Sequence, residues 1–589
     1  MTPKSTRFEL KESSWVSDAS MLDVNSLENL IFENQSIRSF LTNTKKFFVA
    51  ANKGMGKTLL LSFKRYLLYK NYASGSQGSK VKFIPSNSPF LDYMGDLPDL
   101  SKEYHQYLSN LKHAKQIWNI SLKISILSHI NFDLAKHEIG QIDKIPKPIS
   151  SWILEEDEIP PSNILQQLLV HFTPSQISKH LDQYNNFLDT IIRRLHTGIF
   201  IFIDKVDQAI KSFPKQAWII MQAGLIEAAW DIVNSNPHIK IYATVRQEAF
   251  SNYHSDIKSN LIGSTTIIDY KRSELAQIMD KLSQYYEGKT TFQRFTGIEK
   301  IKSPLSGEVE DSFDYVLRHT IGRPRDLVII SSNLSENIAH LQELEFRAIV
   351  NQVSEQTILP NIFNEVEIFL ECLKSEMDRQ RFFSLLPGNI ISKRAALRIS
   401  CLFNGINEED YAQFDDPINQ MNHPFSELYK SGLLGYETSR NGQENSCMQR
   451  FKQPYDMSDY SSIILPNSDF YFIHPALQNT ISQAKREHKY LIFKYVTVGH
   501  AYSWSKVHKK LVEIQMTLEK IRRKGSIKNR EEVCTRVIEF IETHLSKLHH
   551  EHDILNSTAY RELVELLESS EGYTLLHLEL EDLICANNV

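Results

Sequence analysis

Residues 47–61 read FFVAANKGMGKTLLL. An apolar run closes at Ala51, a glycine-bearing turn follows, and Lys57 and Thr58 open an amphipathic stretch that continues to Lys70. The order predicts a strand, a loop and a helix. Ala51 through Thr58 satisfies the P-loop pattern, with Ala51 in place of the first glycine. The residue types follow from the chemistry. Glycines let successive backbone N–H groups turn towards an anion, and the start of a helix adds positive potential. Asn52, Lys53, Gly54, Met55 and Gly56 are thus candidates to cradle phosphates, Lys57 to reach the terminal ones, and Thr58 to bind Mg2+. The alternative is a chance Gly/Lys turn, against which the strand before and the helix after both argue.

Working outward, the segments that fit a sheet are KVKFIP, GIFIFID (198–204), KIYATV and TTIIDY, separated by helical stretches such as KQAWIIMQAGLIEAAWDIV and SELAQIMDKLSQYY. Strands alternating with helices imply a parallel sheet covered on both faces, an α/β core. Asp204 ends a fully apolar strand and is expected to lie beside the loop and hold the water shell of Mg2+; a lone strand-end Asp is otherwise a turn former or helix cap. Lys205 follows it, and a charged lysine cannot accept a proton from water. Asp207 is near the same strand end and is either an acid that polarises water or a cap for the next helix. Thr244 and Arg246 close a strand expected next to Asp204, where a polar side chain senses a terminal phosphate or simply faces solvent. Arg323 and Arg325 open a helix after a Gly/Pro turn, from which a cation reaches a nucleotide or, again, only water.

The rest of the chain sets the frame. With 589 residues and 41% hydrophobic residues it is long enough for several packed cores. A formal charge of −5 gives no chain-wide attraction to nucleic acid or membrane. Five scattered cysteines without a CxxC pair, an N-terminus lacking a signal-peptide core and no long apolar run point to a cytoplasmic protein with no membrane partner. We expect a flexible arm over 1–24, a P-loop NTPase core over 25–275, a helical lid over 276–345, a winged-helix-like domain over 346–485 and an all-α C-terminal region over 486–589. SLENLIFENQSIRSFL from Ser26 reads as one capped helical stretch, and 438–467 as a polar insert between two strands.

AANKGMGKT, IFIFIDKVD, ATVRQEAF and GRPRDL, followed by GLLGYE and FYFIHPAL, resemble the STAND class of signalling ATPases and the related origin-recognition-type AAA+ ATPases over roughly residues 25–485. The resemblance implies an ATPase core, a lid and a winged helix that locks the nucleotide, with ATP and Mg2+ as cofactors. It assigns Lys57 and Thr58 to phosphate and Mg2+, Asp204 to Mg2+, Arg246 to a first sensor and Arg325 to a second. In the NACHT branch the strand continues Asp-Gly-x-Asp-Glu. Here Asp207 agrees while Lys205 and Gln208 depart, so slow hydrolysis is expected. The implied role is a molecular switch in signalling or antiviral defence that meets a protein partner or itself.

Two alternatives stay open: a DNA-handling ATPase and an ATP-stabilised scaffold without turnover. DNA would be met through the winged helix, where ISKRAALRIS offers Lys393, Arg394 and Arg398, and through Lys506 to Arg530, with nine Lys/Arg against Glu513 and Glu519. A solvated helix face explains that basic run equally simply. His544, His549, His550 and His552 miss the i, i+4 spacing of a zinc helix. No NKxD motif follows the strands, which favours ATP over a guanine nucleotide.

Overall fold

A computed structural model describes residues 15–22, 26–72, 81–88, 90–97, 100–130, 145, 147–154, 158–302, 309–406, 423–439, 447–456, 465–484, 496–504, 509, 511–514, 517–518, 533, 535–540 and 558–568. The chain divides into two units. One comprises Met1–Thr290 with Arg323–Val328 and Pro454–Ser461, the other Thr291–Gly322, Ile329–Gln453 and Ser462–Val589. The expected lid over 276–345 is therefore split, with Arg323–Val328 belonging to the first unit.

The first unit is built on a parallel sheet. Strands β1 (Phe48–Ala51), β2 (Val81–Ile84), β4 (Gly198–Asp204), β5 (Ile239–Arg246) and β6 (Thr265–Ile267) lie in the order β2-β4-β5-β1-β6, and β3 (Asp92–Tyr93) also pairs with β4. The strands are apolar because both their faces are covered; β1 is buried throughout and β4 from its second residue on. Register brings Ala51 opposite Arg246, so the C-terminal ends of β1 and β5 meet. Strand β5 lies between β4 and β1, so the strand that ends in Arg246 is next to the one that ends in Asp204, as expected. Open parallel sheets bind ligands at these C-terminal ends.

Beside the sheet, the helices Leu111–Ser128 and Lys215–Ser235 touch through backbone at Gly224. A Cβ there would lie 2.7 Å from the carbonyl carbon of Ala114, so only glycine permits this approach. Trp118 fills the same contact, and its Nε1–H donates to the Met221 carbonyl at 3.0 Å.

Two local expectations are corrected in this unit. The stretch from Ser26 is two helices, Leu27–Leu30 and Gln35–Thr42, because the Asn34 side chain accepts from Ile37 N–H and starts the second afresh. The segment 15–22, expected within a flexible arm, is packed. Trp15 is 6% exposed, stacks on Tyr286 with ring centres 5.0 Å apart, and donates Nε1–H to Glu287 at 2.7 Å. A large aromatic with a polar handle seats one end of the segment.

The second unit carries an antiparallel sheet of β9 (Ile390–Ser392), β10 (Leu434–Ser439), β11 (Cys447–Phe451), β12 (Phe470–Ile473) and β13 (Ser503–Trp504), in the order β13-β11-β10-β12-β9. A two-stranded hairpin joins β7 (Lys300–Lys302) to β8 (Val309–Asp311). The polar insert 438–467 thus contains a strand, β11, paired with β10. The region 486–589, expected to be all helix, supplies β13, and Val496, Val498, Trp504 and Val512 join Ile390, Phe451 and Phe472 in one core. The border expected at 485 therefore cuts through a single hydrophobic cluster. Among the described residues no helix is long and apolar enough to cross a membrane.

Candidate functional site

The C-terminal end of β1 runs into a glycine loop. Gly54 and Gly56 have φ of +86° and +89°, a region that side chains strongly disfavour. A Cβ on Gly54 would also lie 3.1 Å from that of Arg325. The helix Lys57–Tyr72 starts directly after, so its first N–H groups face the loop. Lys57 folds back over it, and its ammonium donates to the carbonyls of Ala51 at 2.8 Å and Asn52 at 3.0 Å. Burial pulls the ammonium pKa down to about 8; Arg246 adds to this, while Asp207, Glu248 and Asp204 oppose it. An ammonium seated on two carbonyls and depressed this far is short of counter-charge, which a phosphate would supply.

Asp204, 1% exposed, connects the loop helix to the sheet. Its Oδ2 accepts from Thr58 Oγ1 at 2.6 Å and its Oδ1 accepts from Thr244 Oγ1. Thr58 and Asp204 thus present adjacent oxygens, the donor type a hard divalent cation takes. Thr244 fixes the carboxylate. Among the described residues, no group of three or more His, Cys, Asp or Glu side chains could hold a metal, so such an ion here would depend on Thr58, Asp204 and ligand oxygens.

Lys205 turns left-handed (φ 59°, ψ 22°) and sends its ammonium 3.5 Å from Asp18 Oδ2, 3.3 Å from Ser20 Oγ and 4.7 Å from the Tyr93 ring centre. Two residues on, Asp207 sits in the short helix Val206–Ala209 with Oδ2 3.5 Å from Arg246 Nη1, and its carbonyl accepts from Trp218 Nε1–H at 3.2 Å. Arg246 does not reach the cavity wall. Its Nε and Nη2 donate to Glu248 at 3.0 and 2.5 Å. Burial works to raise the Glu248 carboxyl, but Arg246, with help from Lys57, holds it below the usual range. Glu248 escaped the sequence reading. The available signal was an acid two residues beyond a strand-end arginine, in the first turn of the helix Gln247–Asn252.

The two arginines of GRPRDL separate. Arg323, 2% exposed, grips Asp326 with two hydrogen bonds of 2.9 Å and donates Nη1–H to the Lys53 carbonyl at 3.3 Å, bracing the loop. Arg325 lines the cavity, and its backbone N–H donates to Gly54 O at 3.2 Å. The cavity, about 160 Å³, is lined both by the polar and charged groups of Lys57, Thr58, Asp204, Lys205 and Asp207 and by the apolar side chains of Ile31, Phe32, Ile278, Leu282 and Val328. Tyr270 closes the loop side, its hydroxyl 3.4 Å from the Met55 carbonyl, and burial raises its pKa. The apolar lining comes from segments far apart in sequence and has no motif to announce it.

Most of the basic run Lys506 to Arg530 lies outside the described residues; Lys509, which is described, pairs with Glu437 at 2.5 Å. His544, His549, His550 and His552 also lie outside them. Arg394 and Arg398 are exposed on the helix Lys393–Asn404, while Lys393 donates to Asn467 at 2.9 Å. No family model matches the chain, and neither a curated protein nor a solved structure matches it.

Proposed function

We propose that the first unit binds ATP with Mg2+ and that the chain is a slowly hydrolysing molecular switch. The observation that carries this reading is Lys57: a depressed ammonium resting on loop carbonyls, beside two left-handed glycines and the Thr58–Asp204 pair, lining a cavity that also has apolar walls. Asn52 to Gly56 would hold phosphate oxygens through the backbone, Lys57 the terminal charges, and Thr58 with Asp204 the Mg2+. Bound triphosphate supplies the anhydride whose cleavage resets a switch. Asp207, which lines the cavity and pairs with Arg246, would orient water. Arg246 then acts behind Asp207 rather than on phosphate, and Arg325 is the arginine that reads the ligand.

Turnover is slow in this reading because the position after Asp204 is a lysine and Gln208 replaces an acid. Binding energy, rather than rapid cleavage, does the work, since only differential affinity for two conformations shifts their balance. The helix Pro324–Glu336 opens with Arg325 and is the element such a switch would move.

The test is a calorimetric titration with ATP, with and without Mg2+. Wild type binds more tightly with the metal, Asp204→Asn loses that metal dependence, and Lys57→Ala loses about 100-fold or more in affinity. Absence of binding by wild type, or unchanged affinity in Lys57→Ala, overturns the assignment.

A further inference from the structure

Lys205 has a role that its position in the strand does not announce. A lysine in the left-handed region is strained where glycine would not be, so something must hold it there. That something is the segment 15–22. Asp18 turns one carboxylate oxygen to Lys205 at 3.5 Å and spends the other on Ser20, accepting from its N–H at 3.0 Å and its hydroxyl at 2.8 Å. Ser20 in turn accepts from Lys205 Nζ at 3.3 Å. The turn Ala19–Met21 rests against the helix Lys57–Tyr72, whose first residues are the phosphate-side pair Lys57 and Thr58. At its other end the segment is seated by Trp15 on Tyr286 and Glu287.

Together with these anchors, Val16, Ser17, Asp18, Ala19 and Leu22 line the same cavity as Lys57, Asp204 and Asp207. The two anchors differ in kind. The Trp15 end is aromatic and indifferent to ligand charge. The Asp18 end is an ion pair, and Lys205 itself lines the cavity with Lys57, Asp204 and Asp207. An anion arriving there meets an ammonium whose present partner is a partly exposed carboxylate, 46% accessible in its side chain.

We propose that Lys205 is a positioning residue that latches residues 15–22 over the cavity through Asp18, and that the terminal phosphate of a bound nucleoside triphosphate competes with Asp18 for it. The strap then loosens with a triphosphate and stays shut with a diphosphate. This rests on the nucleotide reading above for its ligand, but not for the latch itself.

Hydrogen exchange of the backbone amides of 16–22, followed by mass spectrometry on the full chain, separates the two. The protein is measured alone, with ADP and Mg2+, and with a non-hydrolysable ATP analogue and Mg2+, saturation being checked by titration. A half-exposed ion pair sets the expected size at about two- to five-fold faster exchange with the triphosphate than with the diphosphate. Lys205→Met and Asp18→Asn each raise exchange in the protein alone and erase the difference between nucleotides. The reversed pair, Asp18→Lys with Lys205→Asp, restores slow exchange in the nucleotide-free protein, which a merely structural loss at either position would not do. Equal exchange of wild type with the two saturating nucleotides overturns the competition. Unchanged exchange in nucleotide-free Lys205→Met overturns the latch. If wild type binds no nucleotide, the site reading and the competition fall together, while the Lys205→Met comparison still decides the latch.

Discussion

Lys57, Asp204, Arg246 and Glu248 in the first unit and His319, His423 and His474 in the second all place polar groups away from water, but by opposite means. The first set consists of charges held against one another or against loop carbonyls, and Lys57 and Asp204 among them face a cavity. The second consists of rings kept neutral by their surroundings. His474 donates Nε2–H to the Thr320 carbonyl at 3.0 Å while its Nδ1 accepts from Ala476 N–H, and His319 contacts the Tyr315 carbonyl at 2.7 Å. Nearby charges are closed off in the same way: Glu310 takes two hydrogen bonds from Arg318 at 2.9 Å and one from Tyr502. Glu427 accepts three backbone N–H groups at 2.8 Å. Burying charge is costly unless it is paired, so charges kept at a cavity edge are the ones a ligand could pair with, while those satisfied inwardly are not.

Acid breaks the two apart most strongly. Burial pulls His423 and His474 down to about 4, and His319 well below its ordinary value. Below the ordinary histidine pKa of 6.5 the unfolded chain takes up protons that the folded one refuses, so stability rises with pH. The contribution is complete above about 6.5 and is lost as pH falls towards 4, by about 3 kcal/mol at pH 4 for each of His423 and His474. Urea midpoints followed from pH 7 to 4.5 should fall with a slope that His474→Gln flattens by one proton. The same slope in the variant would show that His474 is not held neutral.

Asp207→Asn sharpens the comparison from the other side. The Arg246–Asp207 pair loses its charge, yet Lys57, Thr58 and Asp204 keep their contacts. ATP affinity should hold while the single-turnover hydrolysis rate drops about 100-fold, the low end of what a positioned acid or base contributes. Equal rates in the two proteins would remove Asp207 from the chemistry.

How much of this was legible in the sequence depends on distance along the chain. The glycine loop, Lys57 and Thr58 form a contiguous motif, and Asp204 closes an apolar strand, so local pattern was enough. Trp15 and Glu287 are 272 residues apart, and only the fold brings them together; a polar N-terminus with one tryptophan reads as loose. The strand end alone leaves Arg246 facing a phosphate or solvent, because its partner Glu248 lies beyond the strand, where a helix turns the carboxylate back. Strand β11 was hidden in a polar insert because its partners on both sides, β10 and β13, decide its burial rather than its own hydropathy. Trp504 was assigned to a helical region, yet it packs edge-on to Phe472 with ring centres 4.9 Å apart.

Gly224 provides the smallest and cleanest separation, because it belongs to the first unit yet does not line the cavity. An added Cβ would press on Ala114 at 2.7 Å to backbone and 2.8 Å to its side chain, and neither is the free end of a flexible group that can swing aside. The helices Leu111–Ser128 and Lys215–Ser235 must move apart, at a cost on the order of 2 kcal/mol, partly offset by the better helix propensity of alanine. Gly224→Ala should therefore lower the urea midpoint while leaving nucleotide affinity within about two-fold, since affinity is set by groups at the strand ends and not by this helix contact. If affinity falls in step with stability, the cavity depends on the helix pair behind the sheet. The contrast would then lie between the whole first unit and the second, rather than between a charged site and its supports.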